Sequence, residues 1–306
     1  MKRLLVIGAT GFVGRHVARE LLSCGYSVRC VARKPARAQG LAEAGCEVVQ
    51  GDISDLASIK SAVAGVEAVY VSIHTISPQH ASTSGQGFTE VESNGPRNVV
   101  TACQAQGVRR LIYITSLGVA ADATSEWTRE RWGMEQMLLG SGLDVTVIRP
   151  GQIVGVGGHG FDTTLSDAKK PLAVNLGDGR RRMRNIAVDD LVYYLVGVLG
   201  DPRSFGQCYD VGGDEVLSSN QMVDVAADVL GRPHPIKIDI PRLLHGPIAA
   251  RIERRNRLPK GSIKGMLSGG GDMVGDPMPI RAILPRTPLS YRQAVERALA
   301  GGAAST

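Results

Sequence analysis

Seven residues near the start of the chain, Gly8-Ala9-Thr10-Gly11-Phe12-Val13-Gly14, have the types and spacing to lay a main chain against phosphate oxygens. Gly8 permits a tight turn, Gly11 lets the backbone approach a pyrophosphate, and Gly14 lets a helix pack closely on the preceding strand. The N-terminus of that helix adds unpaired N–H groups and a partial positive charge. Three glycines at this spacing occur in many surface turns, so context has to decide. The apolar run Leu4-Leu5-Val6-Ile7 comes before them, the helical period Val13/Val17/Leu21 comes after, and a second apolar run extends from Ser27 to Ala32. Strand, glycine turn, helix and strand together frame a dinucleotide site, to which Thr10, Phe12 and Val13 belong with the three glycines.

The end of the second strand discriminates between dinucleotides, because an acidic side chain there would hold the two ribose hydroxyls of NAD. The chain instead reads Val31-Ala32-Arg33-Lys34, with no acidic residue through Gln39. A planar guanidinium at Arg33 and a point charge at Lys34 suit the 2′-phosphate of NADP(H), which is therefore preferred over NAD(H). The alternative is that Arg33 stacks on adenine, which would serve either cofactor. Asp52 and Ile53 come after the third strand; Asp52 either accepts a bond from the adenine amine or caps the helix that starts near Asp55.

Around this turn, residues 1–150 alternate strands and helices. Strands are expected at Leu4 to Ile7, Val28 to Ala32, Glu47 to Gln50, Ala68 to Ser72, Leu111 to Thr115 and Val145 to Ile148, each nearly all apolar and so buried on both faces. Helices are expected at Val13 to Cys24, Ala36 to Ala44, Leu56 to Val63, Glu90 to Gln106 and Glu126 to Ser141. The fold class is α/β: a Rossmann-like doubly wound parallel sheet with a smaller C-terminal substrate lobe over 151–306, and segments at about 185–212 returning to the first domain. Past Arg149-Pro150-Gly151 the sequence turns glycine-rich and loop-prone at Gly155 to Gly160. The stretch from Gly265 to Pro279 reads as a surface loop or a lid, and a final helix runs from Tyr291 to Leu299.

Composition narrows the partners. The chain has 306 residues, 43% of them hydrophobic, enough for a substantial core. Its net charge of +6 admits anionic partners, but with aromatic residues at 4% there is no stacking platform for nucleic acid. Two basic clusters, Arg180-Arg181-Arg182-Met183-Arg184 and Arg251 to Lys260, read first as solvated faces. The first could also greet an acidic substrate. Met-Lys-Arg and then a short apolar run read as a first strand rather than a signal peptide. The apolar stretch Leu191 to Leu199 is too short to span a bilayer. Five scattered cysteines (Cys24, Cys30, Cys46, Cys103, Cys208) point to reduced thiols and a cytoplasmic location, and no metal site is expected.

The chain resembles the short-chain dehydrogenase/reductase superfamily, in the extended and atypical branches that include NmrA-like proteins and the NDUFA9-like proteins of complex I. The resemblance rests on Gly8 to Gly14, Gly51-Asp52, Asn94-Gly95 with Asn98-Val99-Val100, the strand Ile112 to Ser116, Arg149-Pro150, Asn185 to Asp190, and Tyr209-Asp210-Val211-Gly212-Gly213. It implies a nicotinamide cofactor bordered by Pro150 and a C-terminal lobe closing over it. It also implies a catalytic Ser/Thr with a Y-x-x-x-K pair, and there the chain departs. Ser116 is present, but the positions of the pair read Trp127 and Arg131, and no tyrosine of the chain has a lysine four residues on. An indole cannot titrate near neutrality and a guanidinium cannot relay a proton. Arg131 could still bind the nicotinamide ribose and Trp127 could wall a flat substrate, or both could pack as ordinary helix residues. His74, at the end of the fourth strand, and His159 are candidate proton donors.

Two functions fit these residues. One is an NADPH-dependent reductase, monomer or homodimer, acting on an apolar conjugated or aromatic carbonyl or a quinone-like molecule, with Ser116 hydrogen-bonding the substrate oxygen. The other is a non-catalytic NADP(H)-binding redox sensor or assembly protein, which absence of the Tyr/Lys pair would suit.

Overall fold

Short apolar runs without alternation suit strands covered on both faces, and the architecture results from covering them. The computed structural model describes residues 2–73, 88–123, 125–256, 263 and 271–303, with the side chains at 88–92, 126, 127, 242, 256, 302 and 303 outside that description. The first half runs β1 (Arg3–Ile7), α1 (Phe12–Ser23), β2 (Ser27–Ala32), α2 (Gln39–Glu43), β3 (Glu47–Gln50), α3 (Leu56–Val63), β4 (Ala68–Val71), α4 (Phe88–Gln106), β5 (Arg110–Ile114), α5 (Glu126–Leu139) and β6 (Asp144–Pro150). It continues through β7 (Gln152–Val154), α6 (His159–Ala168), β8 (Leu172–Asn175), β9 (Arg182–Ala187), α7 (Val188–Gly197), β10 (Gln207–Val211), β11 (Val216–Ser218), α8 (Ser219–Val229), β12 (Ile236–Asp239), α9 (Arg242–Asn256), α10 (Met278–Ile283) and α11 (Tyr291–Ala303).

The main sheet has seven parallel strands in the order β10-β6-β5-β4-β1-β2-β3. Strand order reverses at β1, which pairs with β2 on one side and β4 on the other, and this switch point is where an open α/β sheet binds ligands. On one face Leu4, Val6, Cys30, Tyr70 and Ile112 pack against Val17 and Leu21 of α1 and Leu191 and Leu195 of α7. On the other, Leu5, Ile7, Val69, Leu111 and Val145 meet Ile59 of α3, Val99 and Cys103 of α4, and Leu138 of α5. Burial drives the Cys103 and Cys208 thiols up to about 12, so they are inert hydrophobes in the core.

A third cluster joins Phe161 and Leu165 of α6, Met222 and Ala226 of α8, and Tyr291 and Val295 of α11. It covers the three-stranded sheet β11-β9-β7, while β8 and β12 form a separate two-stranded parallel ribbon.

The expected elements shift in four places. Ala36 to Ala44 is divided into a 3-10 turn at Pro35–Ala38 and the short α2, since Pro35 opens the turn and Gly40 weakens the helix after it. The strand expected to end at Ile148 continues through Arg149 to Pro150, because β10 pairs with it as far as Pro150↔Val211. His159 is the first residue of α6 rather than part of a loop, with the Asp162 carboxylate accepting the Gly157 N–H at 3.0 Å to fix the turn ahead of it. The expected loop from Gly265 to Pro279 falls partly outside the described residues. The remainder is an extended segment from Gly271 leading into α10.

Candidate active site

The glycine turn is shaped by what lies under it. Gly8 has φ +87°, and a β-carbon there would collide with the Ser72 carbonyl oxygen at the end of β4. Gly11 N–H closes the turn on the Gly8 carbonyl at 2.9 Å. A β-carbon at Gly14 would collide with that same carbonyl, so the helix lies flush on the turn only without one. Gly14→Ala should therefore destabilise the protein by about 1–3 kcal/mol through overpacking, read as a lowered urea midpoint.

The N-cap of α1 is Gly11, which offers no side-chain oxygen, and no acidic residue stands in the first turn. An uncapped helix start beside three constrained glycines fits a pyrophosphate. Side chains contribute less than the motif suggests. The Phe12 ring is turned to Gly155 and Gly158, stacks edge-on to His16 with centroids 5.1 Å apart, and lies under the Arg15 guanidinium at 5.2 Å. Val13 packs on the core. Phe12 and Val13 can thus face a cofactor only through their main chains, whereas Thr10 is exposed.

At the adenosine end, Arg33 and Lys34 are exposed directly past β2. Asp52 does not cap the next helix. Asp55 does, accepting the Ala57 N–H at 3.0 Å, while Asp52 accepts the Ser54 N–H at 2.9 Å and holds the turn. Ile53 is buried and gripped by α4: Asn98 Nδ2 donates to its carbonyl at 2.9 Å, and Gly95 leaves room for its side chain. Sequence reading named Asn98 only as a landmark and missed this clamp.

Ser116 lies just past β5. The Thr115 N–H donates to Ile148 O and the Leu117 N–H to Pro150 O, both at 2.9 Å, so the backbone on either side is anchored to β6. Its Oγ is buried and has no hydrogen-bond partner among the described residues. Pro150 itself is buried, with its carbonyl committed to Leu117. Arg131, on α5, is 3% exposed. One turn along the same helix face stands Glu135, fully buried, whose Oε1 accepts the Thr115 hydroxyl at 2.6 Å. Arg149 donates to both Glu135 oxygens and lies 3.8 Å from Asp210 of β10, which in turn accepts the Asp276 N–H at 3.0 Å. Burial works against the Arg149 charge, but the Glu135 carboxylate outweighs it and holds the guanidinium above its ordinary value.

This Thr115–Glu135–Arg149–Asp210 network escaped sequence reading. Its one signal was the charged Arg149 directly after the expected strand Val145 to Ile148.

The cluster Arg180 to Arg184 is a clasp more than a solvated face. Arg182 holds Asp272 with Nη2 at 2.6 Å, Arg181 donates to Gly271 O at 2.6 Å, and Arg184 donates to Gly213 O and Asp214 O. With the backbone bonds Met273 N→Arg182 O and Arg184 N→Met273 O, the clasp pins residues 271–273 to β9. Arg181, Arg182 and Arg184 are engaged in this clasp while Arg180 is exposed, and Met273 and Gly275 lie beside Gly118 and Leu117. His159 is exposed on α6. His74 and the Trp127 side chain lie outside the described residues, as does the part of the second basic cluster beyond Asn256. No group of three or more metal-ligating side chains occurs among the described residues, and no described helix is long and apolar enough to cross a membrane.

The family model for NAD(P)H-binding proteins matches residues 8–196, from the first glycine of the turn nearly to the end of α7. The (4-alkanoyl-5-oxo-2,5-dihydrofuran-3-yl)methyl phosphate reductase of Streptomyces griseus is 32% identical over 234 residues, covering 75% of this chain and 74% of the relative. The mitochondrial NADH dehydrogenase (ubiquinone) 1 alpha subcomplex subunit 9 of Arabidopsis thaliana is 25% identical over 248 residues, 77% of this chain and 60% of its own length. Among solved structures, the Escherichia coli NADPH-dependent quinone oxidoreductase QOR2 complexed with NADPH superposes with a TM-score of 0.73 at 20% identity, covering 97% of this chain and 99% of that one. With the glycine turn, the reversed strand order and the matched span in agreement, the chain belongs to the NAD(P)H-binding family, in the atypical branch of the short-chain dehydrogenases/reductases.

Proposed function

We propose that this protein is an NADPH-dependent reductase acting on an apolar conjugated carbonyl, aromatic carbonyl or quinone-like molecule. The observation that carries the reading is the Ser116 hydroxyl: a buried donor with no described partner, at the carboxyl end of a central strand, where open α/β sheets bind ligands. The 32% identical relative named as a reductase supports it.

Bound NADPH supplies the hydride. Arg33 and Lys34 take the 2′-phosphate, Asp52 and Ile53 border the adenine, and Gly8, Thr10, Gly11, Gly14 and the Phe12 and Val13 main chain receive the pyrophosphate. Arg131 holds the nicotinamide ribose and Pro150 borders the ring. Ser116 donates to the substrate oxygen as charge gathers there, Trp127 walls a flat substrate, and the proton comes from water, His74 or His159. A conjugated acceptor spreads the developing charge, which is why the reaction can proceed without a tyrosine acid. The substrate side is closed by residues of 151–306 other than the 185–212 segment.

The test is transfer of deuterium from NADPH labelled at nicotinamide C4 to a panel of enones, quinones and aromatic ketones, with mass spectrometry of the products. Label in a product supports the reading. Tight NADPH binding with unlabelled products throughout favours the non-catalytic alternative. Separately, Arg33→Asp should weaken NADPH binding by about tenfold and leave NADH binding unchanged, by fluorescence titration. Equal loss of both would remove Arg33 from 2′-phosphate recognition.

A further inference from the structure

The β8–β12 ribbon leaves one face uncovered. Register pairs Ile236 with Leu172 and Ile238 with Val174, so four apolar side chains stand together on one face while Ala173 is buried on the other. Each of the four is at least 39% exposed, and Ile236 reaches 70%. Just past β12, after Ile240-Pro241, Leu243 of α9 is 89% exposed. Single exposed apolar residues are ordinary, but a cluster at ladder spacing calls for a partner.

Charge says which partner. Lys169 precedes β8 and Arg232 precedes β12, while Arg251, Arg254 and Arg255 belong to α9, the helix that follows β12. All five are exposed and make no ion pair among the described residues. Exposed cations thus precede both strands of the apolar face and follow it on α9, in a chain of net charge +6. Its area argues against a second copy: four-residue paired strands span roughly 13 Å by 10 Å, far below the roughly 800 Å² each partner contributes to a stable interface. A lipid surface needs no such area, since shallow apolar insertion and attraction to anionic headgroups add together.

We propose that the β8–β12 face and the start of α9 dock this protein on anionic phospholipid bilayers. Binding is peripheral: Ile236, Ile238 and Leu243 enter the headgroup boundary, and the flanking arginines and lysine meet lipid phosphates.

Flotation of the full-length protein with vesicles of phosphatidylcholine alone, or of equal parts phosphatidylcholine and phosphatidylglycerol, tests this. The protein should float with the mixed vesicles, and binding should weaken as salt rises. Ile236→Asp combined with Leu243→Asp should lower binding by about tenfold, and so should Arg251→Glu combined with Arg255→Glu. All four positions are exposed, and unchanged circular dichroism will show that the variants are folded. Absence of flotation with mixed vesicles overturns the proposal, as does equal flotation of wild type and both variants. A dimer in light scattering that Ile236→Asp dissolves, without vesicle binding, assigns the face to a second copy and also overturns it.

Discussion

Glu135→Leu should lower the unfolding free energy by about 3–5 kcal/mol, the cost of removing one partner from a buried ion pair. Glu135 is fully buried and satisfies three donors at once: the Thr115 hydroxyl and two nitrogens of Arg149. Leucine fills much of the volume but leaves a largely buried guanidinium with Asp210, 3.8 Å away, as its one carboxylate partner among the described residues. Glu135→Gln keeps an acceptor for Thr115 and should cost less. Urea unfolding of the three proteins checks the order; a Leu variant as stable as wild type would mean that Arg149 swings out to water without penalty.

Ser116→Ala should reduce turnover by about a hundredfold, in the range seen when one donor to a developing oxyanion is removed, with NADPH affinity unchanged. The stability readout separates this from a structural role. A buried hydroxyl with no partner costs about 1–3 kcal/mol, so its removal should leave the melting temperature unchanged or slightly raised. Activity lost together with stability would identify Ser116 as a packing residue. An unchanged rate on the substrate found by deuterium transfer would remove it from the chemistry.

The parts of this molecule that sequence made legible are those in which a local rule has one solution. The glycine turn could be read because Gly8 takes a positive φ and Gly11 and Gly14 answer the Gly8 carbonyl only a few residues away. The strands of the first half could be read because continuous apolar runs have no other use in a parallel sheet. What escaped reading depends on partners far away in the chain. Nothing in the local sequence of Glu135 says that it is buried; its partner Arg149 is 14 positions on, and Asp210 comes from another strand altogether. Arg180 to Arg184 looked like a solvated run for the same reason, since Asp272, which holds Arg182, lies 90 residues away. The strand through Arg149-Pro150 outran its apolar signal because pairing with β10 supports it.

The position of β10 has a consequence for how the polypeptide reaches its final state. The outermost strand of the main sheet, next to β6, is made some 60 residues after its neighbour, so during synthesis the first six strands wait with one edge of β6 unpaired. An open edge is a template for pairing with another chain, and the intermediate is at its most aggregation-prone until Gln207–Val211 emerges. Arrival of that strand also brings Asp210 to Arg149. Closure of the sheet and completion of the buried charge network are thus one event.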